Sequence, residues 1–103
     1  MNVIKVVNRV KTAEYIGRGS VLGNPFAMRN QSQAERNRVC EEYQIWFDNK
    51  VKSKDPSVRQ ELIRLYNLAK TRDIQLSCFC APKRCHGDII KAFLDKALKM
   101  GES

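Results

Sequence analysis

The chain is poor in several things. Among its 103 residues there is one histidine, one tryptophan and three prolines. No apolar run approaches the length needed to cross a bilayer, and the first residues lack the core of a secretory signal. Those shortages point to a soluble, cytoplasmic protein with no membrane partner. In that compartment four cysteines are not a disulfide framework; metal binding, thiol chemistry or plain burial come first. Repeats, linkers and low-complexity segments are also lacking, so 1–103 reads as a single domain. A chain of this length buries a modest core without covalent or metal staples.

Acidic residues are the scarcer charge, eleven against nineteen basic, and the net charge is +8. Half of that excess lies in residues 1–30, where Lys5, Arg9, Lys11, Arg18 and Arg29 face only Glu14. Such a balance favours anionic partners: a nucleotide-like small molecule, nucleic acid or an acidic protein. It also fits a basic surface that does nothing but keep the protein in solution.

Hydrophobic periodicity divides the chain into six elements. Residues 3–8, VIKVVN, and 13–17, AEYIG, read as short strands. Residues 18–30, RGSVLGNPFAMRN, read as a long loop because glycine, proline and asparagine crowd it. Ser32 with Glu35 fits a capping box ahead of a helix striped by Val39, Tyr43, Trp46, Phe47 and Val51. Asp55 and Pro56 then suit the N-cap and first turn of a second helix, striped by Val58, Leu62, Leu65, Tyr66 and Ala69. IQLSCFC, 74–80, reads as a strand. A last helix follows from His86 with Ile89, Ile90, Phe93, Leu94, Ala97 and Leu98 on one stripe. The expected class is α/β: a small three-stranded sheet in the order β-β-α-α-β-α, with helices packed on it. If 13–17 and 74–80 are a parallel pair joined by a right-handed crossover, their C-terminal ends share one sheet edge. The loop 18–30 and the turn 81–85 would then meet where open α/β sheets bind ligands.

The segment CFCAPKRCHGD places Cys78, Cys80, Cys85 and His86 within nine positions. Zinc uses such ligands, but one-residue and zero-residue spacings are not the usual knuckles, so no metal is assigned. Cys40 could complete a set, and nothing requires it. Cys85, beside Lys83 and Arg84 at a helix start, is a nucleophile candidate because cations and the helix dipole favour thiolate. Cys78 alternates with Ile74 and Leu76 and reads as core, while Cys80 stays open between core and ligand pocket. The preferred reading is anion binding at the helix start, with free backbone N–H groups and Gly87 allowing close approach. His86 and Asp88 are the acid–base candidates. Both also suit plain helix capping.

The loop GRGSVLGN complements that site. Gly17 lets the backbone approach a ligand, Arg18 can grip a phosphate through two donors, and Ser20 and Asn24 can donate to phosphate or to a base edge. It is not a P-loop, since the Lys followed by Ser or Thr is missing, and it is not the dinucleotide fingerprint. LGNP equally reads as a tight turn. Tyr15 can stack on a base or sit in the core. Tyr43, Trp46 and Phe47 share a helical face, which is core more often than a stacking platform. No cofactor is implied by any of these residues.

YIGRGSVLGNPF followed by CFCAPKRCHGDII resembles the motif pair of the domain-of-unknown-function family forty-three twenty-six, small domains of bacteriophage and bacterial genomes. The resemblance runs from VVNR at 6–9 to the last helix. It implies an α/β sandwich with a ligand pocket between the motifs, and a host-cytoplasmic location for a phage-encoded member. By the same resemblance the motif positions are Tyr15, Gly17, Arg18, Ser20, Gly23, Asn24, Pro25, Cys78, Cys80, Pro82, Cys85, His86, Gly87 and Asp88. CHGD is also similar to the CHR helix starts of other small Rossmann-like domains. No established reaction comes with the family. Binding of a nucleotide-like phosphorylated ligand, with hydrolysis or group transfer as its chemistry, is one expectation. A non-catalytic adaptor or nucleic-acid binder is the other, and a zinc-stabilised interaction module a third.

Overall fold

The computed structural model describes residues 3–8, 10–17, 19–26, 28–78 and 85–101. Six elements are formed: β1 (Ile4–Asn8), β2 (Glu14–Tyr15), α1 (Gln33–Lys52), α2 (Pro56–Thr71), β3 (Ile74–Cys78) and α3 (His86–Gly101). Their order is the expected one. The sheet order is β1-β3-β2, and both pairings are parallel. The last strand in sequence therefore lies at the centre. Ile4 is level with Ile74, Val6 with Leu76, and Tyr15 with Ser77. β2 is shorter than expected because turn geometry at Ala13 precedes it and Gly17 follows it; beyond its last residue, the Ile16 N–H still donates to the Ser77 carbonyl at 3.1 Å.

Period-two alternation turns Ile4, Ile74 and Leu76 inward. All three are buried in one cluster with Ile16, Tyr43, Phe47, Leu62, Leu65, Ile90 and Leu94. α3 is the central helix, packed on β1, β3, α1 and α2. Phe47 of α1 meets Phe93 of α3 edge to face, with ring centroids 5.5 Å apart. The outer face of the sheet carries exposed Lys5, Tyr15 and Gln75. No helix among the described residues is long and apolar enough to cross a membrane.

Local chemistry explains the helix ends. Ser32 caps α1, its Oγ accepting the Glu35 N–H. Only half of the expected capping box forms: the Glu35 carboxylate takes Arg38 and the Arg29 N–H instead of the Ser32 N–H, which donates to Asn30 Oδ1. The Arg38 guanidinium holds Glu35 far below the usual carboxylate range, at about 2. α1 closes with Asp55 N–H on the Lys50 carbonyl and Lys54 N–H on the Val51 carbonyl, a Schellman closure. Lys54 takes its left-handed position, φ 59°. Asp55 then caps α2, accepting the Val58 N–H, with Pro56 in the first turn.

Candidate functional site at the C-terminal edge of the sheet

All three strands run the same way, so the chain leaves each of them at one edge. The segment after β2 is built from two consecutive turns. Ser20 N–H donates to the Gly17 carbonyl at 3.1 Å, and Gly23 N–H to the Ser20 carbonyl at 3.0 Å. Ser20 Oγ also donates to the Gly17 carbonyl, at 2.6 Å. Gly23 lies so close to this turn that a Cβ there would come 2.4 Å from the Gly17 oxygen. Asn24 Oδ1 accepts the Phe26 N–H, an Asx turn that carries the chain past Pro25. Ser20 and Asn24 thus both shape the loop, each through one atom.

α3 begins at the same edge. Cys85 is its N-cap, and Asp88 reaches back: Asp88 Oδ2 accepts the Cys85 N–H at 3.2 Å while Asp88 N–H donates to the Cys85 carbonyl at 3.1 Å. Asp88 therefore performs the capping role open to it, with its side chain on the exposed side of the helix. Cys85 is buried. Gly87 allows a close approach, and the partner is the sheet: a Cβ there would meet Val6 Cγ1 at 2.9 Å and Ile16 Cδ1 at 3.0 Å. The room expected for a ligand at Gly87 is filled on that side by core side chains.

His86 joins the two motifs. Its Nε2 lies 2.5 Å from the Ile16 carbonyl oxygen. A carbonyl only accepts, so this contact assigns the proton to Nε2. The imidazole is 8% exposed. Burial pushes its pKa below the ordinary 6.5, against the opposing pull of the Ile16 carbonyl and the Asp88 carboxylate. His86 is thus held neutral.

Tyr43 supplies a second tie, one the sequence reading assigned only to the core. Its hydroxyl donates to the Leu22 carbonyl at 2.7 Å, from a fully buried ring. That ring is 5.1 Å from the His86 ring, centroid to centroid. Burial raises the phenol pKa well above its usual value, and the nearby Cys85 adds to the rise. Tyr43 and Phe47 do form the core stripe expected of them, with Trp46 partly buried beside them.

Arg36 is the other residue that sequence reasoning passed over. It is 4% exposed, on the same stripe of α1 as Cys40, Tyr43 and Phe47. The available signal was a charged residue falling at core spacing, at 36, 40, 43 and 47.

Of the remaining expected site residues, Arg18 and Cys80 lie outside the described residues, as does Pro82, and the Cys78 side chain is not among those described. Among the described residues no three His, Cys, Asp or Glu side chains are grouped to hold a metal ion. Elsewhere, an apolar cleft of about 500 Å³ runs between α2, α3 and the end of α1, lined by Val58, Leu62, Ile63, Tyr66, Phe93 and Met100. It shares no residue with the strand-end site.

Neither the curated proteins nor the solved structures yielded a match to the chain. A family model described as "Domain of unknown function (DUF4326)" matches residues 4–96, and the chain belongs to that family.

Proposed function

We propose that the protein binds a nucleotide-like phosphorylated ligand beyond the C-terminal edge of its sheet, between the 17–25 loop and the start of α3. One observation carries the reading: the His86–Ile16 contact closes the chain leaving β2 onto the helix that follows β3. Parallel strands joined through a helical crossover support the reading, because open α/β sheets take their ligands beyond the C-terminal ends of the strands. Arg18, Ser20, Asn24, Cys80 and the backbone around Gly17 and Gly87 are the proposed ligand contacts. Hydrolysis or group transfer would fall to Cys85, His86 and Asp88. Cys85 is buried, His86 Nε2 is engaged by Ile16, and Asp88 caps α3, which favours binding as the primary role.

The test is thermal stability of the purified protein against nucleotides, nucleoside phosphates, NAD and ADP-ribose, with Arg18→Gln alongside. A ligand that binds only the native state raises the midpoint by mass action. The expected result is a rise for one ligand class that Arg18→Gln loses. No rise with any of them overturns the reading. The net charge of +8 favours the second reading, an adaptor or nucleic-acid binder without catalysis. Binding to oligonucleotides that falls steeply with salt would support it.

A further inference from the structure

Arg36 belongs to a buried stripe yet is satisfied by nothing in it. Its Nη2 donates to Gln31 Oε1 at a long 3.5 Å. Its Nη1 is buried without a hydrogen-bond partner, and among the described residues it is the one buried side-chain nitrogen or oxygen in that condition. A guanidinium cannot shed its proton to escape burial, and an uncompensated buried charge is strongly unfavourable. The neighbouring cations are in a different state. Arg38 is paired with Glu35 and Glu42, and Arg29 lies 3.6 Å from Glu35.

The location of Arg36 follows from contacts along α1. Tyr43 meets His86 at the start of α3, and Phe47 meets Phe93 further along it. α1 and α3 therefore run the same way, from the C-terminal edge of the sheet toward the other. Arg36 is seven residues before Tyr43, about 10 Å along the helix axis, and so lies beyond that edge. Its side chain reaches back to Gln31, which precedes the Ser32 cap. It is therefore aimed at the N-terminal end of α1. There the N–H groups of Gln33 and Ala34 have no carbonyl partner within the helix, and the helix dipole favours negative charge.

We infer that Arg36 is an oxyanion-binding residue: Nη1, with the first N–H groups of α1, takes a phosphate-type group of the ligand. The location rests on the proposed strand-end pocket. The unpartnered Nη1 is a separate observation.

The experiment uses the full chain with inorganic pyrophosphate as probe, against sodium chloride at equal ionic strength, with Arg36→Met and Arg36→Lys. Wild type should show a dose-dependent rise in melting midpoint with pyrophosphate beyond that with chloride. Arg36→Met should lose that rise while its own midpoint, without pyrophosphate, is unchanged or higher, because an unpartnered buried charge has gone. Arg36→Lys, which keeps the charge but loses the fork, should need about tenfold more pyrophosphate, the loss of one charge-assisted hydrogen bond. It also serves if the methionine variant does not fold. An equal rise in wild type and both variants, or no rise in wild type, overturns the assignment. A nucleotide shift that survives in Arg36→Met keeps the pocket and removes Arg36 from it. A pyrophosphate shift that depends on Arg36, unmatched by any nucleotide, keeps Arg36 and removes the nucleotide reading.

Discussion

The imidazole of His86 and the carbonyl of Ile16 are seventy residues apart in sequence and 2.5 Å apart in the fold. This contact fixes the start of α3 over the end of β2. It also makes the chain's single histidine a buried, neutral donor rather than a surface titrating group. Tyr43 does the same service for Leu22 from the opposite helix. The loop carrying Gly17, Ser20 and Asn24 is therefore held from two sides.

Replacing His86 with alanine removes a buried hydrogen bond and leaves a cavity, and should cost about 2 kcal/mol by urea denaturation. Acid sensitivity is the sharper readout. The folded pKa of His86 lies below its ordinary 6.5, so the unfolded chain takes up the proton first. Stability should fall as pH drops through 6.5 toward the lower folded value, then level off. His86→Gln should lack this step. An identical slope between pH 7 and 5 in wild type and His86→Gln would assign the step to another group.

Tyr43→Phe deletes one hydroxyl and leaves the Leu22 carbonyl, in the buried core, without that donor. The expected loss is about 1–2 kcal/mol. Hydrogen exchange should report it locally, with faster exchange of the Gly23 amide that closes the neighbouring turn. Unchanged protection at Gly23 would mean that the loop holds itself.

Gly23→Ala places a methyl group against the Gly17 carbonyl, which cannot rotate away as a side chain would. The turn must open, at about 1–3 kcal/mol. Gly19→Ala is the control. No atom lies within 4 Å of its new Cβ, and its φ of +92° is the only obstacle. Melting curves should rank Gly23→Ala as the more harmful, and the reverse order would refute the described packing.

Cys85 is buried, so its thiol should resist alkylation by iodoacetamide until the protein unfolds. Peptide mapping after native and denaturing labelling checks this residue separately from the other three cysteines. Rapid native labelling of Cys85, dependent on thiolate at neutral pH, would instead support the nucleophile assignment.

Element order, helix stripes and caps could be read from local pattern, because each depends on neighbours within a few residues. Asp55 with Pro56 marks a helix start in any context, and Tyr43 with Phe47 marks a buried face. The parallel pairing of β2 with β3 followed from crossover geometry alone. Three further features depended on distant partners. β1 could have lain beside β2, and the pairing of Ile4 with Ile74 put it on the other side of β3. Gly87 reads equally as a ligand contact or a packing contact, and the fold supplies a packing partner on its Cα side, the side chains of Val6 and Ile16. A histidine at a helix start has two nitrogens and many possible partners; only the docking of α3 against β2 delivers the Ile16 carbonyl to one of them. Sequence sets what each residue can do with its neighbours along the chain, and the buried partner that makes it do so is chosen by tertiary contact.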